Sequence, residues 1–140
     1  MSESTNNQAN TVNKSSKSQI AGWVLSGLVS VFLAGPSAIG KFVEWEGKAK
    51  MFDHIGFTND VIMKIGVLEI ILAILFLIPR TGFLGAILLT GYLGGATVTH
   101  VRVGDPYFMP IVIGVVMWIG MGLRRPAVFS LVIDSKAARH

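Results

Sequence analysis

The stretch from residue 66 to residue 106, GVLEIILAILFLIPRTGFLGAILLTGYLGGATVTHVRVGDP, decides the fold. It is two long apolar runs joined by Pro79, Arg80 and Thr81, with Gly104, Asp105 and Pro106 closing the second. A single acid, Glu69, interrupts the first run. A helix crossing a bilayer core of about 30 Å needs about 20 apolar residues. Lipid offers backbone groups no water partner, so each run is expected to be a helix. The two short turns make successive helices antiparallel neighbours.

Two further apolar runs flank this block, at residues 20–39 and 108–123, beside those at 61–78 and 83–101. The predicted fold class is therefore all-α: a four-helix transmembrane bundle. The first run is longer than the roughly 7–15 residues of a signal-peptide core, although the small residues around Ala34 to Ala38 also fit a cleavage region. The predicted organisation is a disordered polar tail over 1–18, a four-span bundle over 19–124, and a cytoplasmic tail over 125–140.

Composition agrees with the runs. The chain has 140 residues, 51% of them apolar and 14% charged, where a soluble domain carries about 25% charged residues. The net charge of +4 arises from basic residues at the ends of the runs and in the tails. That placement fits topology signals and anionic headgroups. With no basic stripe interleaved with aromatics, no nucleic-acid partner is expected. Cysteine is absent, which removes thiol redox chemistry, iron–sulfur ligation and thiolate zinc sites. No metal site is read from the sequence.

Orientation follows from Lys and Arg. With both termini in the cytoplasm, the inner face holds Lys14, Lys17, Arg80, Arg124, Arg125, Lys136 and Arg139. The outer face holds Lys41, Lys48, Lys50, Lys64 and Arg102. The excess favours that orientation. In the first loop, Phe42, Trp45, Ala49 and Phe52 recur at helical spacing with charges between them. They predict an amphipathic helix lying in the outer interface between spans one and two. Thr58 or Asn59 is a candidate cap for the second span, and Asp60 and Lys64 stand at the favourable acid-first spacing of four.

Helices in lipid associate where small residues let backbones approach. Span one carries Gly22, Ser26, Ser30, Ala34 and Ala38 on one stripe. Span three carries Gly82, Ala86, Thr90 and Gly94, with Gly91, Gly95 and Thr99 alongside. These two spans are expected to form the tight centre of the bundle.

Glu69 lies ten residues before Pro79, so about 15 Å from the inner interface at 1.5 Å per residue. A central acid costs about 3 kcal/mol on insertion scales, which the apolar residues of the run offset. It should face the bundle interior and hydrogen-bond to Tyr92, Thr90 or Ser30, the polar groups at matching depth, with desolvation favouring its neutral form. Two readings stand side by side: a satisfied structural acid, or a proton-relay or ligand-binding acid. At the outer end of span three, Thr99, His100 and Arg102 are either a polar helix end or a site for an anionic or quinone-like headgroup. Arg102 would snorkel to headgroups or pair with Asp105. Haem would need an axial histidine, with His54 approaching His100 for two.

The 66–106 block resembles the DoxX-like family of small bacterial integral membrane proteins. The likeness is dense over Glu69, Pro79, Arg80, Thr81, Gly85, Thr90 to Tyr92, Gly94, Gly95, Thr99, His100 and Arg102, and looser over residues 20–65. The HIGFT segment departs from the family's Gly-Tyr-Pro turn at Phe57 and Thr58. The resemblance implies a four-helix bundle in the bacterial cytoplasmic membrane. It also implies kinship with proteins of which some are subunits of quinone-linked oxidoreductases. The expected function is an accessory or quinone-associated subunit acting with a redox protein partner, with quinone as the candidate cofactor. The alternatives are a non-catalytic scaffold that recruits a partner, and a proton-coupled carrier, which four spans would support only as a homo-oligomer.

Overall fold

The structure, a computed structural model, describes residues 2–133, with side chains described at Asn7 and from residue 16 to residue 130. Every described element is helical. Helix α1 spans Ser2–Phe32, a π-helical turn follows at Leu33–Ser37, and α2 covers Ala38–Phe42. Short α3, Lys48–His54, precedes α4, Asn59–Leu77, α5, Gly82–Val103, α6, Phe108–Arg124, and α7, Ala127–Ile133. Where residues 1–18 read as a disordered tail, the backbone is helical from Ser2. Neither Gly nor Pro stands in that segment to interrupt a helix extending from the apolar run. Of the C-terminal tail, Lys136 and Arg139 lie outside the described residues.

Two stretches, Ser16–Phe42 and Gly82–Val103, are long and apolar enough to cross a membrane, and Phe108–Arg124 is apolar but shorter. Helix α4 carries Asp60, Lys64 and Glu69 within its 19 residues. The long helices turn large apolar side chains outward. Leu28, Val31, Leu84, Val98 and Val115 are all more than half exposed. Water would penalise such a surface heavily, whereas acyl chains solvate it.

The helix caps follow local chemistry. Thr58 Oγ1 accepts from the Val61 backbone N–H at 3.4 Å and so opens α4, and Asp60 pairs with Lys64 at 2.7 Å. Gly104, at φ +78°, ends α5 in the left-handed conformation that glycine adopts freely. Thr90, Thr97 and Thr99 each return their hydroxyl proton to the carbonyl four residues back. This satisfies them without a partner helix.

The helices form a ring in which α1 packs on α6, α6 on α5, α5 on α4, and α4 on α1. The first and third long helices therefore sit on the diagonal, and the expectation that they form the tight centre is corrected. The close crossings lie elsewhere. A Cβ on Gly22 would collide with the Arg124 backbone, and one on Gly120 would stand 3.0 Å from Ser26 Oγ. One on Gly85 would stand 2.5 Å from the Phe76 nitrogen. Gly22, Ser26 and Ala34 face α6 and the core, whereas a Cβ added at Gly91, Gly94 or Gly95 would meet no atom of another described element within 4 Å. These three glycines leave space and do not seal a seam.

The single amphipathic helix expected in the first loop is broken in two. Val43 is extended, and Gly47 takes φ +89° before α3 begins. Phe52 and Ile55 then pack with Ile62 in a small cluster of their own, while Trp45 stays 42% exposed. The main core lies in the ring centre and is built from Val29, Leu33, Leu72, Phe76, Leu89, Met117 and Met121. Arg124 closes the end of the ring at the α4–α5 turn, the inner end in the expected orientation. Its Nη2 donates to the Phe76 carbonyl at 2.6 Å, and its guanidinium lies 4.6 Å from the ring centroids of both Trp23 and Phe76.

Candidate functional site

The half of the ring at the α4–α5 turn is closed by glycine crossings, and in the other half α5 stands open at Gly91, Gly94 and Gly95. The chain kinks at Gly35 and Pro36. Pro36 has no N–H to donate, and Gly35 takes φ −92° and ψ −108°, outside helical values. The chain then resumes as α2, which leans on α4 because Gly66 has no side chain. A Cβ there would meet the Phe42 ring at 2.9 Å and Lys41 Cβ at 3.3 Å.

This approach creates the central polar cluster. Lys41 Nζ donates to Glu69 Oε2 at 2.7 Å, and also to the Ser37 carbonyl at 2.8 Å and Ser37 Oγ at 3.2 Å. Ser37 Oγ in turn donates to Glu69 Oε1 at 2.7 Å. Glu69 is 1% exposed and Lys41 17%. Both carboxylate oxygens are thus engaged, and the ammonium uses three acceptors. A buried ion pair offsets its desolvation only when it is hydrogen-bonded in this way.

Of the partners expected for Glu69, Tyr92 stands beside it on the same cavity wall. Ser30 and Thr90 do not reach it. Ser30 Oγ points to the Ala73 carbonyl at 3.4 Å. Thr90 bonds the Ala86 carbonyl and accepts from Trp118 Nε1 at 2.9 Å on the α6 side. Lys41 and Ser37, neither of them an expected partner, take the two carboxylate oxygens of Glu69. Ser37 and Lys41 escaped the sequence reading, which placed Lys41 in the outer loop. The available signals were the Gly-Pro pair and the spacing of four between Ser37 and Lys41, which puts both on one helical face.

A cavity of about 680 Å³ extends from this cluster towards the outer rim. Its walls are Phe32, Leu33 and Pro36 on one side and Leu68, Gly91 and Gly95 on another, and Trp45, Phe52 and Phe57 roof it. Thr99 and His100 line its far end. An apolar chamber of this size with a few convergent polar groups is the usual form of a small-molecule site.

The rim is tied across three elements. Asp105 Oδ1 lies 3.3 Å from His54 Nε2, and Asp105 Oδ2 lies 4.0 Å from His100 Nδ1, which has no hydrogen-bond partner among the described residues. Arg102 does not pair with Asp105. Its Nη2 donates to the Ile55 carbonyl, holding the end of α3. Thr99 and His100 thus face the cavity, and Arg102 serves the roof. His54 and His100 both approach one carboxylate.

The profile of the DoxX-like family matches residues 24–120. No curated protein and no solved structure matches the chain. The chain belongs to the DoxX-like family, and its apolar helices accord with a membrane protein of that family.

Proposed function

We propose that this DoxX-like protein crosses the membrane four times and binds a small neutral ring compound, of the quinone class, in the outer half of its bundle. It would act there as an accessory subunit of a membrane oxidoreductase. The observation that carries the reading is the chamber ending on Lys41, Glu69, Ser37 and Tyr92. Because Glu69 already neutralises Lys41, the site has no spare charge to hold an anion or a cation. The Lys41 ammonium and the Ser37 hydroxyl are spent within the cluster, so the donor to a ligand carbonyl would be the Tyr92 hydroxyl, with Glu69 as the carboxylate that exchanges a proton. The wall of Trp45, Phe52 and Phe57 suits a flat ring. Reduction of a quinone takes up two electrons and two protons. Here Glu69 and Tyr92 would handle protons, and a redox protein partner would supply the electrons.

The test is purification of the full chain in mild detergent, followed by mass spectrometry and an ultraviolet spectrum of what accompanies it. Quinone should co-purify with the wild type and be depleted in Glu69→Gln. Protein that neither carries quinone nor takes up added quinone overturns the reading.

A second reading, a non-catalytic scaffold, is favoured by one feature. The outer side of α5 and α6 holds an apolar groove of about 730 Å³, lined by Thr90, Gly94, Thr97, Gly114 and Trp118. A scaffold would tolerate Glu69→Gln and His100→Ala in cells but not bulk at Gly94.

A further inference from the structure

The α4–α5 hairpin changes character along its length. At its inner end the two backbones touch, with Gly85 against Phe76. Towards the outer side they part. Leu68 of α4, 46% exposed, and Gly91 and Gly95 of α5, both exposed, line the same cavity as Glu69. Among the described residues, no atom beyond the helix's own backbone and chain neighbours lies within 4 Å of a Cβ at Gly91 or Gly95. On the wheel of α5, Tyr92, Gly95 and Thr99 fall on the α4 side, whereas Thr90 and Thr97 fall on the opposite flank, where Thr90 meets Trp118 of α6. The chamber thus reaches exposed residues of both α4 and α5, a side opening that would stand at the depth of the acyl chains where both helices cross. Its polar end is inside and its apolar mouth faces lipid.

We propose that this cleft, between Leu68 and the Gly91–Gly95 face, holds the hydrocarbon tail of the ligand and admits it from the bilayer. The proposal rests on the ring-binding reading above and adds the substrate class: an amphiphile with a polar ring and an alkyl or isoprenoid chain. A ring seated at Glu69 and Tyr92 can lead its tail out over the two glycines without crossing a packed side chain. The groove on the α5–α6 side lacks the corresponding polar end. Its Thr90 hydroxyl and Trp118 N–H already satisfy each other.

Two tritiated probes separate the two ideas, a benzoquinone bearing a ten-carbon chain and the same ring bearing only a methyl. Full-length protein in phosphatidylcholine nanodiscs is titrated with each by scintillation proximity, with unlabelled probe as competitor. Gly95→Leu should weaken the long-chain probe at least about tenfold and change the methyl probe less than about twofold. Gly91→Leu, one turn inward, should act the same way and stands in should the first variant fail to fold. Glu69→Gln should weaken both probes. Equal effects of Gly95→Leu and Gly91→Leu on the two probes, or none on the long-chain probe, overturn the tail cleft and leave the ring site standing. Failure of the wild type to bind either probe overturns the ring site and the cleft with it.

Discussion

The ammonium of Lys41 lies 2.7 Å from Glu69 Oε2, although Lys41 stands in the last turn of α2 and Glu69 sits midway along α4. The side chain reaches inward because Gly66 lets α2 close on α4 and because Ser37, one turn back, accepts from the same nitrogen. A lysine at the edge of a membrane ordinarily extends to the headgroups. Here it is held by a carboxylate that would otherwise stand alone in an apolar setting.

Removing one member of such a pair leaves the other buried and uncompensated, at about 3–5 kcal/mol. Lys41→Met and Glu69→Leu alone should each destabilise the protein on that scale. The double variant should recover most of the loss, since two apolar groups leave nothing unpaired. Unfolding of the three variants in detergent, read as a double-mutant cycle, checks this. Additive losses would show that the two residues do not interact.

The glycines of α5 should divide by neighbour and not by depth. Gly85→Ala places a methyl 2.5 Å from the Phe76 nitrogen, a backbone clash that should destabilise by about 1–3 kcal/mol. Gly94→Ala meets open space and should stabilise by about 0.5–1 kcal/mol through the better helix propensity of alanine. Thermal unfolding of the two variants should therefore move in opposite directions from the wild type.

Arg124 joins three helices at the inner end, stacked between Trp23 and Phe76 and bonded to the carbonyl of Phe76. Its position near the C-terminus of α4 also suits a cation. Lysine keeps the charge but loses the planar stack and the fork of donors. Arg124→Lys should therefore lose about 1–2 kcal/mol. The exposed Arg125→Lys should change stability by less than about 0.5 kcal/mol. Comparable unfolding temperatures for the two would remove Arg124 as an anchor.

The sequence made the helical character legible through its apolar runs, and the turns through Pro79–Thr81 and Gly104–Pro106. Membership of the DoxX-like family was legible in the 66–106 block. The identity of helix neighbours was not. A small residue states that a backbone could approach, but Gly85 and Gly91 look alike until the partner helix is placed. Lys41 was missed for a related reason. Depth counting treats a run as a straight rod, and the bend at Gly35 and Pro36 swings the end of span one over α4. The outer loop misled similarly, because Phe42, Trp45 and Phe52 keep helical spacing across Gly47, whose φ of +89° ends the continuity.

The four-span arrangement turns on α4, which carries the charged residues Asp60, Lys64 and Glu69 along its length. Two of them, Asp60 and Lys64, pair with each other in its first two turns, where the outer interface would lie. The third, Glu69, faces inward to Lys41. What α4 shows outward is Val67, Leu68, Ile71 and Ile74, a face acyl chains can solvate. The next helix, α5, has 22 residues, about 33 Å at 1.5 Å per residue, enough for a bilayer core of about 30 Å. If α1, α4 and α5 all cross, Ser16 and Arg80 share one side, and Glu46 and Tyr107 share the other. The chain has no native cysteine, so single substitutions at these four exposed positions can be labelled in intact cells with a membrane-impermeant maleimide. Glu46→Cys and Tyr107→Cys should label from outside, and Ser16→Cys and Arg80→Cys only after permeabilisation. Labelling of Arg80→Cys and Tyr107→Cys from one side would mean that α5 does not cross, and the cavity would then lie in a different solvent.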